Sequence, residues 1–245
     1  MNSVLQKILA LKSTNKKGFA LLIDPDKFSD NKIVALANEH EVDFLLVGGS
    51  LITQGSLEET IQTIKSKTTI PVIIFPGSSN HISNNADAIL LLSLISGRNP
   101  DYLIGQHVQA APMLKKSGIE TLSTGYILID GGNVTTVAYI SNTLPIPANK
   151  PDVASATAMA GEMIGNKLIY LDAGSGAKNH IPANLIAAVK KSIDVPLIVG
   201  GGIRDAETAK LIWNAGADVI VIGNAVEENV SLLSEVSISK KEINI

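Results

Sequence analysis

The sequence predicts a single (β/α)8 barrel (TIM barrel), an α/β fold in which eight parallel strands are each followed by a helix. The chain has 245 residues, of which 45% are apolar, and this matches the ~250 residues of one such domain. Short apolar runs alternate with helical patterns along the whole sequence, and eight such runs are found. The last two runs each end in glycine, as do phosphate-binding turns after strands seven and eight of many barrels. We therefore expect residues 1–245 to form one barrel domain.

The apolar runs, taken as buried parallel strands, locate the elements in order. The predicted strands are 19–24, 43–47, 71–75, 87–93, 121–129, 168–172, 196–200 and 218–222. Stretches with a period of 3.6 residues predict helices near 30–40, 56–66, 101–117, 152–165, 183–193, 205–215 and 225–235. An amphipathic pattern from Met1 to Lys17 predicts one more helix, which covers the floor of the barrel.

One crossover is too short for a helix. About eleven residues, 76–86, separate strands three and four, whereas a helix of ~11 residues with its two loops needs more. A barrel that lacks its third outer helix has a furrow in its side, which suits a long apolar ligand. Apolar residues close to the gap in sequence are Ile89, Leu91, Leu94 and Ile95. The alternative is a short helix with loose ends near 79–86.

Composition excludes several classes of function. The net charge is −3 without long runs of one sign, so neither a nucleic-acid groove nor a basic membrane-binding face is indicated. The absence of cysteine excludes thiolate chemistry and fits a cytoplasmic protein. The longest apolar run begins at Ala88 and stops at Ser93, far short of the ~20 residues that span a membrane. We expect no membrane span and no nucleic-acid partner.

Three glycine-rich turns predict an anion site. Strand seven continues into Gly201 and Gly202, and strand eight into Gly223 and Asn224. Glycine lets backbone N–H groups approach a phosphate closely, and the following helix N-terminus adds partial positive charge. The end of strand six adds an acid and a small-residue nest in the run Tyr170, Leu171, Asp172, Ala173, Gly174, Ser175 and Gly176. Alternatively, the glycines only form tight turns and Asp172 caps a helix.

Strands one and two end in oxygen-bearing side chains. Asp24 and Asp26 are two residues apart, which places them on one side if the strand geometry continues, and Ser50 follows two glycines after strand two. Such oxygens suit Mg²⁺, which typically binds one or two carboxylates together with substrate phosphate. The alternative is a turn in which Asp26 or Ser29 caps the next helix, and Ser50 is equally consistent with a cap.

Six segments, in this order, resemble the geranylgeranylglyceryl phosphate synthase family. They are Leu-Ile-Asp-Pro-Asp (22–26), Val-Gly-Gly-Ser (47–50), Ile-Phe-Pro-Gly (74–77), Tyr-Leu-Asp-Ala-Gly-Ser-Gly-Ala (170–177), Val-Gly-Gly-Gly-Ile-Arg (199–204) and Val-Ile-Gly-Asn-Ala (221–225). The resemblance covers nearly the whole chain and is closest to the larger subgroup found in archaea and some bacteria.

The resemblance implies a prenyltransferase that joins sn-glycerol 1-phosphate to geranylgeranyl diphosphate through an ether bond. It also implies Mg²⁺ at Asp24 and Ser50, and glycerol phosphate along 170–176 and at the two C-terminal glycine turns. Many relatives have Glu where this chain has Asp172; because the side chain is one methylene shorter, Asp172 is either the base or a group that orients the hydroxyl. The family pattern further implies a homo-oligomer, a dimer or a hexamer, with Tyr102 a candidate interface anchor.

Other functions share some of these features. A lyase or isomerase acting on a small phosphorylated substrate uses similar turns, but it needs a base, and the nearest lysine, Lys27, lies beyond the turn after strand one. A catalytically silent phosphate- or lipid-binding barrel is a second alternative. The same transfer with a different prenyl chain length is a third, since furrow depth sets that length.

Overall fold

The computed structural model describes residues 3–28 and 32–244. Eight parallel strands pair in sequence order and β8 closes on β1, which confirms the predicted (β/α)8 barrel. The strands are β1 (Gly18–Ile23), β2 (Phe44–Gly48), β3 (Val72–Phe75), β4 (Ala88–Leu94), β5 (Glu120–Leu128), β6 (Leu168–Asp172), β7 (Leu197–Gly200) and β8 (Val219–Ile222). Each end lies within about one residue of its predicted position, because the apolar runs coincide with the buried part of each strand.

The helices surround the barrel, with α1 at its floor. They are α1 (Val4–Ser13), α2 (Lys32–Glu39), α3 (Leu57–Lys65), α4 (Gln106–Ser117), α5 (Thr136–Ser141), α6 (Pro151–Met163), α7 (Ala183–Ser192), α8 (Ala206–Asn214), α9 (Asn224–Glu228) and α10 (Ser231–Ile243). A π-helical turn, Asp101–Gly105, leads into α4. No described helix is long and apolar enough to cross a membrane. The predicted features at Met1 and Ser29 lie outside the described residues.

The prediction of one helix over 225–235 was wrong. Asn229 has an extended backbone, with φ −140°, and ends α9. Its side-chain oxygen accepts the N–H of Ser231 at 3.2 Å, where α10 begins. The polar side chain therefore divides a continuous apolar pattern into two helices, because it competes for the backbone N–H groups of the next turn.

The floor helix is anchored to the strand barrel as predicted. Val4 and Ile8 are buried in the cluster of side chains that fills the barrel. The carboxylate of Glu120, at the start of β5, accepts the N–H groups of Val4 at 2.7 Å and Leu5 at 3.0 Å. These are donors that a helix N-terminus otherwise leaves unpaired, so the contact both caps α1 and orients it.

Side chains alternate between two layers along the strands. On β6, Tyr170 belongs to the inner cluster, whereas Leu171 belongs to the outer layer between strands and helices. Asp172, two residues beyond Tyr170, faces the interior at the carboxyl end of the barrel. The strand period thus decides which residues of β6 reach the site.

The third crossover contains no helix. Residues 76–87 form turns, bends and irregular loop without any helix, so the predicted loss of this helix is confirmed and the alternative of a short helix near 79–86 is wrong. Hydrogen bonds hold the loop: Gly77 N–H donates to Nδ1 of His81 at 3.1 Å, and Ser79 N–H donates to Oε1 of Gln106 at 2.9 Å. Polar contacts therefore replace the packing that a helix would provide.

Candidate active site

Two cavities meet at the carboxyl ends of the strands, where barrel enzymes have their active sites. The polar cavity is lined by residues that include Asp24, Ser50, Tyr170, Asp172, Arg204 and the predicted glycine turns. The apolar trench is lined by residues that include Ile82, Ile89, Leu91, Leu92, Leu94, Tyr102, Ala110, Leu114 and Ile140. Phe75, Tyr126 and Val137 line both cavities, so the two adjoin at these side chains.

The apolar trench lies where the third outer helix is missing. Its walls come from β4, the 76–87 loop and α4, and the π-helical turn before α4 contributes Tyr102. Ile89, Leu91 and Leu94 line it as predicted. Ile95 does not; it lies in a separate groove beside Gly161 of α6. The trench thus has the shape and polarity for a long hydrocarbon chain.

The three predicted anion turns come together around the polar cavity. Gly201 and Gly202 have φ of 85° and 72°, a conformation that glycine adopts without strain. A Cβ on Gly201 would lie 2.8 Å from the backbone nitrogen of Gly174, so the turns after β6 and β7 touch. The amide of Asn224 donates to Oγ of Ser175 at 3.0 Å and joins the turn after β8 to them.

Two residues of the β6 segment do not line the cavity. Leu171 packs in the outer layer, and Ala173 donates its N–H to the carbonyl of Gly200 at 3.0 Å. Gly174 lines the cavity, but its N–H donates to Oδ1 of Asp172 at 2.8 Å. The part of the 170–176 segment that is placed to bind an anion is therefore residues 175–176. They act together with the turns after β7 and β8.

The helix that follows β7, α8, begins at Ala206, and no residue of α8 lines the polar cavity. Asp205 caps α8: its carboxylate accepts the N–H of Thr208 at 2.7 Å and so pairs one of the N–H groups at that end of the helix. Arg204 lies beside the cavity instead and donates to the carbonyls of Ala177 at 2.8 Å and Lys178 at 3.1 Å. The sequence prediction missed this arginine. After β8, by contrast, α9 begins at Asn224, directly after the glycine.

Asp172 is buried and fixed by two donors. The Tyr126 hydroxyl donates to Oδ2, and the N–H of Gly174 donates to Oδ1. Burial raises the pKa of Asp172, while these two hydrogen bonds act in the opposite direction without cancelling the rise. Burial and the adjacent Asp172 charge raise the pKa of Tyr126 well above its usual range, so its hydroxyl remains a donor.

Three aromatic rings form the junction of the two cavities. The ring centroids of Tyr126 and Tyr170 are 5.4 Å apart, and Phe75 lies 6.0 Å from Tyr126 and 5.7 Å from Tyr170. Tyr126 pairs directly with Tyr170 in the register of β5 and β6. The sequence prediction missed Tyr126 and Phe75. The alternation of side chains along β5 could have indicated that Tyr126 faces the barrel interior. That inference also needs the register between β5 and β6, which the sequence does not provide.

Asp24 and Ser50 both line the polar cavity, whereas Asp26 does not. Oδ1 of Asp24 accepts the N–H of Asp26 at 3.0 Å. The Asp26 carboxylate faces the loop after β2 and accepts three N–H groups there, beginning with Gly55; these bonds hold the pKa of Asp26 well below its usual range. Asp26 therefore does not join Asp24 in the cavity, and its carboxylate is held by the loop after β2.

The donor set is compatible with Mg²⁺ only together with substrate oxygens. No group of three or more His, Asp or Glu residues in the described part of the chain is placed to hold a metal. One carboxylate and one hydroxyl, from Asp24 and Ser50, are the kind of hard oxygen donors that Mg²⁺ uses beside phosphate and water. The residues fit a metal bound through a diphosphate.

Lys27 is unsuited to act as a base. Its ammonium group pairs with Glu227 at 2.9 Å and contacts Oδ1 of Asn224 at 3.3 Å. The hydrogen bond to Glu227 raises the pKa of Lys27, so the side chain stays protonated. The lyase or isomerase alternative thus lacks its nearest lysine base.

Comparisons with known proteins agree with this geometry. The chain matches the PcrB family over residues 12–240. A Spirosoma linguale protein named geranylgeranylglyceryl phosphate synthase is 54% identical over 236 residues, 95% of each chain. The Pyrococcus furiosus protein of that name is 43% identical over 220 residues, 88% of this chain and 87% of its own.

A solved structure agrees equally well. The crystal structure of (S)-3-O-geranylgeranylglyceryl phosphate synthase from Thermoplasma acidophilum, in complex with sn-glycerol-1-phosphate, has a TM-score of 0.91 to this fold and is 38% identical in sequence. The match covers 99% of this chain and 100% of that one. The protein described here belongs to the PcrB family.

Proposed function

We propose that the protein is a geranylgeranylglyceryl phosphate synthase, a prenyltransferase of lipid biosynthesis. It joins C1 of geranylgeranyl diphosphate to the C3 hydroxyl of sn-glycerol 1-phosphate through an ether bond and releases diphosphate. One observation carries the proposal: an anion-binding cavity and an apolar trench adjoin at Phe75 and Tyr126, and the Tyr126 hydroxyl donates to the buried carboxylate of Asp172. The relatives' names and the bound glycerol phosphate of the Thermoplasma acidophilum structure support it.

The polar cavity binds the acceptor. Backbone N–H groups of the turns at 175–176, 201–202 and 223–224 hold the phosphate, with the Arg204 guanidinium beside the same cavity. Leu171 and Ala173, which were expected to contact glycerol phosphate, lie outside the cavity lining, and Gly174 lines the cavity with its N–H bonded to Asp172. Tyr170 and Asp172 then face the glycerol moiety.

Asp172 acts on the reacting hydroxyl. Because Tyr126 and Gly174 hold its carboxylate, Asp172 accepts a hydrogen bond from the C3 hydroxyl in a defined orientation. As the new C–O bond forms and the bond from C1 to the diphosphate oxygen breaks, the hydroxyl proton passes to Asp172. Its raised pKa favours this transfer, since a carboxylate with a raised pKa is a stronger base.

The apolar trench binds the prenyl chain and brings C1 to the aromatic junction. Phe75 and Tyr126 exclude water there, and their ring faces stabilise positive charge that develops on the allylic carbon. Chain length depends on the far end of the trench. The same transfer with a shorter or longer prenyl group is the remaining variant of the proposal.

The diphosphate lies between the two cavities. Asp24 and Ser50 would hold Mg²⁺ together with diphosphate oxygens, and the ion would neutralise the leaving group. Asp24 is preorganised for this role by the N–H of Asp26.

The proposal is tested by incubating the protein with sn-glycerol 1-phosphate and labelled geranyl, farnesyl or geranylgeranyl diphosphate. We expect a lipid-extractable ether product that requires Mg²⁺ and disappears with EDTA. The enantiomer sn-glycerol 3-phosphate serves as the control and should react poorly. A lyase, an isomerase or a silent binding protein would give no such product.

A homo-oligomer, a dimer or a hexamer, is part of the proposal. On α6 and directly after it, Val153 in the first turn and Met163 and Ile164 at the C-terminal end are 44%, 82% and 74% exposed, apolar surface that self-association would cover. Tyr102 packs against the inner cluster at the trench, which does not favour it as an interface anchor. Light scattering that gives a mass near the 25.7 kDa of one chain would contradict this part.

A further inference from the structure

One carboxylate joins the loops that follow β1 and β2. Oδ1 of Asp26 accepts the N–H groups of Gly55 at 2.6 Å and Gln54 at 2.9 Å. Oδ2 accepts the N–H and the hydroxyl of Thr53, both at 2.8 Å. Four donors from three consecutive residues thus converge on one side chain, which we call the Asp26 clamp.

The two loops touch at the backbone as well. A Cβ on Gly55 would lie 2.2 Å from the carbonyl oxygen of Pro25 and 2.7 Å from the nitrogen of Asp26. No real Cβ comes this close to backbone, so only glycine permits the approach. The close approach at Gly55 therefore places the three N–H groups within reach of Asp26.

The clamp lies next to both residues assigned to Mg²⁺. Asp24 is two residues before Asp26 and accepts its N–H at 3.0 Å. Ser50 lies three residues before Thr53, on the segment whose end is clamped. The distance between the Asp24 carboxylate and the Ser50 hydroxyl thus depends on how firmly the two loops are joined. Mg²⁺ is sensitive to such a change, because it requires near-ideal octahedral geometry.

We propose that Asp26 is a positioning residue that fixes Ser50 relative to Asp24 and thereby sets the affinity of the polar cavity for Mg²⁺. This inference rests on the proposed function, specifically on Asp24 and Ser50 as the metal-holding residues. Aspartate is required because its two oxygens accept all four donors. Asparagine would turn an NH₂ group toward N–H donors and lose at least one bond.

The test uses Mn²⁺ as a paramagnetic probe ion, with inorganic diphosphate present, and measures its dissociation constant by electron paramagnetic resonance. In Asp26→Asn we expect a rise of about 10- to 100-fold, the usual effect of losing an outer-shell partner. Hydrogen exchange of the amides at 53–55 should accelerate, while the dissociation constant of glycerol phosphate stays within about twofold. Gly55→Ala, which separates the loops without changing charge, should have the same effects.

Asp205→Asn is the matched control. It removes one carboxylate from a loop at the same end of the barrel, where Asp205 likewise accepts a backbone N–H, but it leaves the β1 and β2 loops intact. Its Mn²⁺ affinity should equal that of the unaltered protein. Equal losses in Asp205→Asn and Asp26→Asn would show an effect of net charge and overturn the positioning role.

The outcomes separate this inference from the proposed function. If exchange at 53–55 accelerates in Asp26→Asn but Mn²⁺ affinity does not fall, the positioning role is refuted and the metal site stands. If Asp24→Asn itself leaves Mn²⁺ affinity unchanged, the assigned metal site is wrong, and the role of Asp26 fails with it. Thr53→Val removes only the hydroxyl bond and should weaken Mn²⁺ binding less than Asp26→Asn does. If Asp26→Asn does not fold, Thr53→Val takes its place in the test.

Discussion

Asp172 is a carboxyl group in surroundings that oppose its charge. Burial raises its pKa, and the donors Tyr126 and Gly174 offset only part of that rise. The folded protein therefore binds this proton more tightly than the unfolded chain, whose aspartate pKa is about 3.9. Stability contributed by the group falls as pH rises from that value through the folded pKa. A residue that reduces stability at neutral pH is typical of a functional site.

Replacing Asp172 by Asn should separate activity from stability. We expect turnover to fall by at least about tenfold, because no group then accepts the hydroxyl proton. At pH 7 the variant should be as stable as the unaltered protein or more so, and any advantage should vanish below about pH 4, where the original carboxyl is protonated in both states. Turnover and urea unfolding at both pH values test this. Near-normal turnover would remove Asp172 from the mechanism.

Removing the Tyr126 hydroxyl should shift the pH profile of the reaction. Its hydrogen bond favours the charged form of Asp172, so Tyr126→Phe raises the pKa of Asp172 further. Since the ionised carboxylate is the active form, the acid limb of the kcat profile should move to higher pH. Tyr170→Phe is the control, a hydroxyl deletion on the adjacent ring that should leave the acid limb in place. Equal shifts in both variants would contradict the assignment.

The element that distinguishes this barrel is its third crossover, in which a loop replaces a helix. The loop is pinned to α4: Ser79 donates its N–H to Gln106 and its hydroxyl to Gln109, the latter at 3.1 Å. A Cβ on Gly77 would lie 2.3 Å from the carbonyl oxygen of Gly49, so the loop also touches the turn after β2. The trench is therefore bounded by a loop held in place by hydrogen bonds and by α4, whose side chains Ala110 and Leu114 line it.

Filling the trench from α4 should shorten the accepted prenyl chain. Ala110 is buried and lines the trench, so Ala110→Phe should reduce turnover with geranylgeranyl diphosphate by about tenfold or more while geranyl diphosphate still reacts. Ala111→Phe, one residue along on the exposed face of the helix, is the control and should keep the original preference. Mass analysis of products from a panel of diphosphates measures the effect. An unchanged preference in Ala110→Phe would place the prenyl chain elsewhere.

The whole molecule separates stability from chemistry along the barrel axis. At the floor end, the outer helix α10 is tied to the residues before β2: Lys240 is buried and bonds to Asp43 at 2.9 Å and to the carbonyl of Glu41 at 2.7 Å. Asn244 exchanges two hydrogen bonds with the backbone of Lys17. The cavities lie at the opposite end, as in other barrels, where the strands' carboxyl ends carry function and the floor carries stability.

Lys240→Met should therefore destabilise the protein without changing catalysis. Breaking a buried ion pair costs about 3–5 kcal/mol; Asp43 is partly exposed and also accepts the N–H of Phe19, so we expect about 2 kcal/mol. Lys241→Met is the control, because its pair with Glu41 is exposed to solvent and contributes little to stability. Urea unfolding and kcat measure both. A loss of kcat in folded Lys240→Met protein would contradict this separation.

Much of the fold was predictable because each buried strand is a short run of apolar residues in the sequence. The eight apolar runs gave each strand, and the length of the third crossover gave the missing helix. The division at Asn229 and the helix α5 within the long segment after β5 were missed, because each depends on local hydrogen bonds or tertiary contacts rather than on hydrophobic period.

The site residues that could be predicted are those that lie at or directly after the carboxyl ends of strands. Asp24, Ser50, Asp172 and the glycine turns were found in this way and come together around one cavity. Tyr126 was missed because only the register between β5 and β6 places it beside Asp172. The contacts of Asp26 were not predicted because its hydrogen-bond partners lie nearly thirty residues away in sequence. Long-range pairing of this kind is not encoded in spacing along the chain.

The loop at the third crossover also determines which kind of reactant can enter the site. A shortened connection opens the flank of an otherwise ordinary phosphate-recognising scaffold, and hydrocarbon then has access to chemistry that the glycine turns already position. A full-length crossover there would close that flank and leave only the polar cavity open to reactants. Room for a hydrocarbon chain beside the phosphate-binding turns thus follows from one helix that this barrel does without.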